Sequence, residues 1–192
     1  MKVNILNYHE RILTKIYKYL NLTKEGVLLD VGCGDGSSCK LFSEFLSEIV
    51  GIDVLFYKDW QRVRDELENI SFIIGDARKI PFRDRCFTHT YIKDVLHHIK
   101  EHEKVLREVK RVTKIKGRII IVETNRANPL SYIHMTLMKK HCHFSRKYLI
   151  YLAEKYFGNF HILCIENHLW PIKNRFIINL LNFLEDFVER IS

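Results

Sequence analysis

Val27-Leu-Leu-Asp-Val-Gly-Cys-Gly-Asp-Gly36 runs from a short apolar segment, interrupted by one acid, into glycines at positions 32, 34 and 36. Val27–Val31 is short for a helix and reads as a strand buried on both faces of a parallel sheet. Glycines directly after it allow a sharp turn and the close approach of a ligand to the backbone, and a helix is expected from Gly36 to about Leu46. Working outward, the alternation continues. Strands are expected at Ile49–Asp53, Ile70–Ile74 and Phe87–Asp94, with a charged helix over Lys58–Glu68. Val105, Leu106, Val109 and Val112 line one face of a helix over residues 101–114, and Gly117 punctuates the chain before the β-rich run Arg118–Glu123. Strands alternating with helices imply an α/β, doubly wound sheet flanked by helices on both faces.

The outer segments are helical in pattern. Ile5, Leu6, Tyr8, Ile12, Leu13, Ile16, Tyr17 and Leu20 recur at helical spacing near the start. Beyond Pro129, helices are expected over about 130–140 and 145–157, a strand at His161–Glu166, and a broad apolar helix over 174–190. A single domain is expected over residues 1–192: an N-terminal cap helix (1–25), a ligand-binding core (26–125), and a lid, last strand and C-terminal helix (126–192).

Composition narrows the class. Hydrophobic residues at 47% and charged residues at 28% exclude a mainly disordered chain. No apolar run approaches the ~18 residues of a membrane span, and the first residues lack a signal-peptide core. Five cysteines, at 33, 39, 86, 142 and 164, form no C-x-x-C pair, which fits reduced thiols and a cytoplasmic setting. The formal charge of +8 permits acidic partners such as nucleic acid, anionic lipid or a phosphorylated substrate.

The glycine turn is selective in its details. A dinucleotide fingerprint needs glycine at its sixth place, which here is Ser37, and a phosphate loop needs Gly-Lys-Ser/Thr, which is absent. Asp30 would repel a pyrophosphate but suits a ligand carrying an ammonium and a sulfonium. The turn therefore favours S-adenosylmethionine. Asp53, 21 residues after Gly32, ends the second strand where an acid can accept ribose hydroxyls. Asp76 ends the third, where it could accept the adenine amino group.

With those residues in hand, the chain resembles a class I S-adenosylmethionine-dependent methyltransferase of the small-molecule type. Val27–Gly36 resembles the first motif, Gly51-Ile-Asp53 the second, Gly75-Asp-Ala-Arg-Lys-Ile-Pro-Phe82 the third and Phe87–Ile99 the fourth. Arg107–Glu123 resembles the helix and strand that follow. The resemblance implies a mostly parallel sheet of seven strands, or six here, because no final strand is found. It implies a cofactor site of Asp30, Gly32, Cys33, Gly34, Asp53, Val54, Asp76, Ala77, Ile92 and Lys93, with S-adenosylhomocysteine as product. In the fourth strand, Thr88 stands where the family has Asp, and His89 and Thr90 replace apolar residues.

His97 and His98 follow the fourth strand on the acceptor side and are candidate general bases; the competing role for His97 is packing or capping. His134, His141, Cys142 and His143 lack metal-ligand spacing, so no metal is expected. Arg126, Lys139, Lys140, Arg146 and Lys147 make residues 126–150 a basic lid or a solvated face. The run Lys110, Arg111, Lys114 and Lys116 reads as a helix C-terminus complementing its dipole. The expected function is methyl transfer to a small-molecule or lipid-like acceptor. The alternatives are an RNA methyltransferase using the basic lid, and a non-catalytic S-adenosylmethionine-binding partner protein. Peripheral membrane contact and a homodimer are compatible with the two amphipathic end helices.

Overall fold

A computed structural model describes residues 2–123, 144–163 and Leu180, with side chains from His9 onward. Five strands form one sheet: β1 (Val27–Val31), β2 (Glu48–Asp53), β3 (Ile70–Ile74), β4 (Phe87–Lys93) and β5 (Thr113–Val122). Their order is β3-β2-β1-β4-β5, and every neighbouring pair is parallel. The chain winds outward from β1 to β3, then crosses back to place β4 on the other side of β1. That reversal opens a crevice at the carboxyl ends of β1 and β4, where open α/β sheets bind ligands. The register sets Asp30 opposite Gly51 and Tyr91, and Val31 opposite Ile52 and Ile92, so the three strand ends lie level.

Strand alternation divides the side chains between two faces. On one face, Leu29, Val31, Val50, Ile52 and Ile92 share a core with Val105, Leu106, Val109 and Val112 of α4 (His102–Val112) and with Leu152 and Tyr156. The last two lie on α5 (Arg146–Tyr156). Burying each large aliphatic contributes about 1.5–3 kcal/mol. The other face carries α2 (Ser37–Phe42) and α3 (Asp59–Glu66). Phe42 meets Tyr91 edge-on at 5.1 Å, and Trp60 stacks on Phe72 at 5.0 Å with 6° between the planes. Sheet alternation sends Asp30 to this polar-edged face, under α2.

Several expectations are revised by hydrogen bonds that the local pattern does not show. The helix after the glycine turn ends at Phe42 rather than Leu46. Ser43 folds its hydroxyl onto the Lys40 carbonyl, and the Asn69 amide takes the Ser43 and Leu46 carbonyls. β5 begins at Thr113, ahead of the punctuating Gly117. Between Phe87 and His89 the pairing jumps from Thr113 to Arg118, so Lys114–Gly117 bulge out, with Lys116 at φ 69°. A Cβ on Gly117 would lie 2.8 Å from the Thr88 carbonyl oxygen, which explains a glycine inside a strand. The polar residues of β4 are satisfied. Thr88 accepts the Val27 N–H and donates to the Val27 carbonyl, while the Thr90 hydroxyl meets that of Thr113 at 2.7 Å.

The expected sixth strand is not seen in its described part, since His161, Ile162 and Leu163 belong to no strand. Residues 164–166, the helix over 130–140, the lid as far as residue 143 and the C-terminal helix apart from Leu180 lie outside the described residues. α1 (Lys2–Leu20) forms as expected and buries Ile12, Ile16 and Leu20 in one stripe. It belongs to a compact unit that also contains His161–Leu163 and Leu180, with Tyr19 and His161 rings 6.4 Å apart; Leu22–Phe160 form the second unit. No helix among the described residues is long and apolar enough to cross a membrane.

Arg111 does more than balance a helix dipole. Its guanidinium donates to the Ile80 and Phe82 carbonyls and pairs with Glu108 and Asp84, while Glu108 also accepts the Ile80 N–H. Arg111→Ala is expected to lower stability by about 1–3 kcal/mol in urea unfolding. Loss of the exposed Arg107–Glu103 pair in Arg107→Ala should leave the urea midpoint close to the wild-type value. Equal effects would show that Arg111 acts only as a surface charge.

Candidate active site

The glycine turn is tied to the ends of both neighbouring strands. The Gly32 and Cys33 N–H groups donate to the Ile52 carbonyl at 2.7 and 3.1 Å. The Gly34 N–H donates to Asp53 Oδ2 at 3.0 Å, and its carbonyl accepts the Trp60 indole N–H at 2.7 Å. On the β4 side, a Cβ on Gly32 would fall 2.1 Å from Val95 Cγ2, and Gly32 sits at φ 73°. Only glycine satisfies both conditions.

The structure thus brings Gly32, Cys33, Gly34 and Asp53 together at one edge. Asp53 has its second oxygen on the Leu55 N–H, so its carboxylate is oriented by backbone on both sides. Val54, Leu55 and Phe56 follow it as exposed apolar residues, and Ile74, opposite Asp53, is exposed as well. Asp76 follows through Gly75, whose N–H donates to the Asp53 carbonyl. Arg78 clasps the Asp76 carboxylate with its guanidinium and backbone N–H, holding it below the ordinary carboxylate range, and also reaches Glu101 at 2.5 Å. Ala77 and Ile92 are buried in the core, so a ligand would meet their backbone. Lys93 bonds Asp94 at 2.6 Å, and its charge acts on Asp30.

Beyond β4 the chain turns through Asp94, at φ 55°, into a 3₁₀ turn over Leu96–His98. His98 is exposed and His97 is buried. Glu123, whose side chain is 1% exposed, accepts the Val95 and Leu96 N–H groups at 3.0 and 2.6 Å and faces His97 Nδ1 at 2.8 Å. Asp94, His97 and Glu123 bring potential metal-ligand atoms within 4.8 Å of one another. A cation fits poorly here, because Glu123 already accepts two backbone N–H groups and the Lys93 ammonium sits on Asp94. Glu123, Trp60, Val95, Cys39 and Arg78 are the site-shaping residues that sequence reasoning passed over.

Residues 29–121 match a family model described as a methyltransferase domain. Over that stretch, just under half of its length, the chain is similar to a methyltransferase domain. The uncharacterized methyltransferase YcgJ of Bacillus subtilis is 32% identical over 102 residues, 50% of this chain and 40% of its own. Its crystal structure superposes with a TM-score of 0.65 at 23% identity, over 77% of this chain and 68% of that one. Demethylmenaquinone methyltransferase of Staphylococcus aureus is 29% identical over 131 residues, 64% of this chain and 54% of its own. The chain spans about half the length of these curated relatives.

S-adenosylmethionine carries an ammonium and a sulfonium, and a buried acid of β1 fits such a cationic ligand. Asp30 is 2% exposed and accepts the Cys39 thiol at 3.2 Å. Burial pushes its carboxyl up to about 7, against the lowering effects of the Cys39 hydrogen bond and the Lys93 charge. A ligand ammonium nearby would favour the ionised form. Without ligand, Asp30 in the folded chain binds more protons than in the unfolded chain between pH 3.8 and about 7, so this group's contribution to stability falls as pH rises through that window. Asp30→Asn removes the titration. The stability difference between variant and wild type should shift in the variant's favour by about 2–4 kcal/mol from pH 4 to pH 8. Urea unfolding across that range checks this, and a pH-independent difference overturns it.

Proposed function

We propose that the protein transfers the methyl group of S-adenosylmethionine to a small, lipid-like acceptor. The observation that carries the cofactor part is the Gly32–Gly36 turn, locked onto Asp53 through the Gly34 N–H at the switch between β1 and β4. On this reading Asp53 accepts the ribose hydroxyls, Val54 and Ile74 offer apolar contact to adenine, and Asp76 shares its carboxylate between Arg78 and the adenine amino group. Asp30 and Lys93 attend the amino-acid end, beside the glycine turn. The relative named for demethylmenaquinone supports an apolar acceptor over a polynucleotide.

S-adenosylmethionine supplies an electrophilic methyl group bonded to a positively charged sulfur. The chain's contribution is to fix the donor and present the acceptor in line, and such orientation can supply about 7–11 kcal/mol of the barrier. Where the acceptor atom carries a proton, His97 or His98 takes it; His97 is the better placed, since Glu123 holds it at the end of β4.

Calorimetric titration with S-adenosylmethionine, S-adenosylhomocysteine and NAD tests the cofactor. The two adenosyl ligands should bind saturably and NAD should not. Asp53→Ala should weaken them at least tenfold, corresponding to about 1.4 kcal/mol. Absence of adenosyl-ligand binding would overturn the reading. Transfer of label from methyl-labelled donor into an organic extract, rather than into RNA, tests the acceptor class.

A further inference from the structure

Glu123 is a buried side chain on which two backbone N–H groups and an imidazole nitrogen converge, and the sequence motifs give it no role. Its Oε1 accepts the Val95 and Leu96 N–H groups, and its Oε2 lies 2.8 Å from His97 Nδ1. It follows directly on β5, and the Asp94 N–H is held by the Val122 carbonyl at 3.0 Å, so β5 fixes the turn through two successive residues. The turn in turn presses Val95 against the space above Gly32. One acid therefore orients both the backbone that abuts the glycine turn and the imidazole that follows it.

We propose that Glu123 is the positioning residue for His97, fixing its proton on Nδ1 so that Nε2 is the basic nitrogen during methyl transfer. This rests on the function proposed above. Oε1 is taken up by two backbone N–H groups, which leaves Oε2 to face the imidazole; a carboxylate oxygen can only accept, so on this proposal the Nδ1 atom facing it donates. With its one ring proton there, a neutral imidazole carries its lone pair on Nε2. In the transfer the C–S bond of the sulfonium breaks as the acceptor's O–C or N–C bond forms. The acceptor's proton passes to Nε2, leaving S-adenosylhomocysteine and an imidazolium beside the Glu123 carboxylate, which stabilises it. Glu123 touches neither reactant.

Glu123→Gln separates this role from simple support. The amide oxygen can still accept the Val95 and Leu96 N–H groups, but its NH₂ then faces Nδ1 and requires that atom to accept. Long-range proton–nitrogen correlation spectra of ¹⁵N-histidine-labelled full chain at pH 8, with His97 assigned from His97→Asn, read the tautomer directly. The wild type should show the proton on Nδ1, and Glu123→Gln should move it to Nε2 with S-adenosylhomocysteine affinity changed less than threefold. A proton on His97 Nε2 in the wild type, alone or with Nδ1 also protonated, overturns the proposal. So does a folded Glu123→Gln variant with the wild-type pattern. The wild-type spectrum decides even if the variant does not fold. Failure of S-adenosylhomocysteine to bind the wild type would instead count against the proposed function, leaving the tautomer result to stand separately.

Discussion

Val95 occupies the volume that a side chain at position 32 would need, with its Cγ2 2.1 Å from where that Cβ would stand. The contact requires the end of β4 to lie hard against the turn after β1, and the parallel pairing of those strands brings it there. Gly32 and Cys33 are held from the opposite side by the Ile52 carbonyl at the end of β2. The turn is thus gripped between its two neighbouring strands, and its conformation is inherited from the sheet. A ligand meeting it meets a surface whose shape is fixed before binding, which limits the ordering cost of association.

The carboxylates around that turn are handled in different ways. Asp53 is aimed by two backbone N–H groups, Asp76 is gripped by Arg78, and Glu123 is almost fully enclosed, with two backbone N–H groups on one oxygen. Asp30 has a thiol and burial, and carries the raised pKa to show for it. Three acids are thereby fixed in place by their donors and serve as set geometry, while the fourth is held in a poorly solvated position that a purely structural design would avoid. Functional positions commonly carry such destabilised groups, with the surrounding fold making up the difference.

Much of this was legible in the residues. Glycines at 32, 34 and 36 after an apolar run place the turn, and β1, β2 and β3 match their expected bounds to within about one residue because buried parallel strands are short and continuously apolar. What the sequence hides is contact across the chain. Glu123 reads as the last residue of a strand, and its grip on residues 95–97 exists only because β5 lies beside β4. Arg111 reads as a helix-terminal charge until the loop after β3 brings the Ile80 and Phe82 carbonyls beneath it. Thr88, His89 and Thr90 look like a flaw in an apolar strand. Their partners, Val27 and Thr113, lie 61 and 23 residues away from Thr88 and Thr90. Periodicity reports which face is apolar, and says nothing about which distant donor meets which acceptor.

The Trp60 indole joins the glycine turn to the sheet, donating to the Gly34 carbonyl while its ring lies flat on Phe72. The chain has two tryptophans. One of them is therefore an optical probe wired by hydrogen bond to the peptide group between the Gly34 N–H that meets Asp53 and the start of α2. Its emission reports polarity and local field at that peptide without any added label. Occupancy of the crevice thus becomes a spectroscopic signal intrinsic to the fold, separable from the second tryptophan by a Trp170→Phe background.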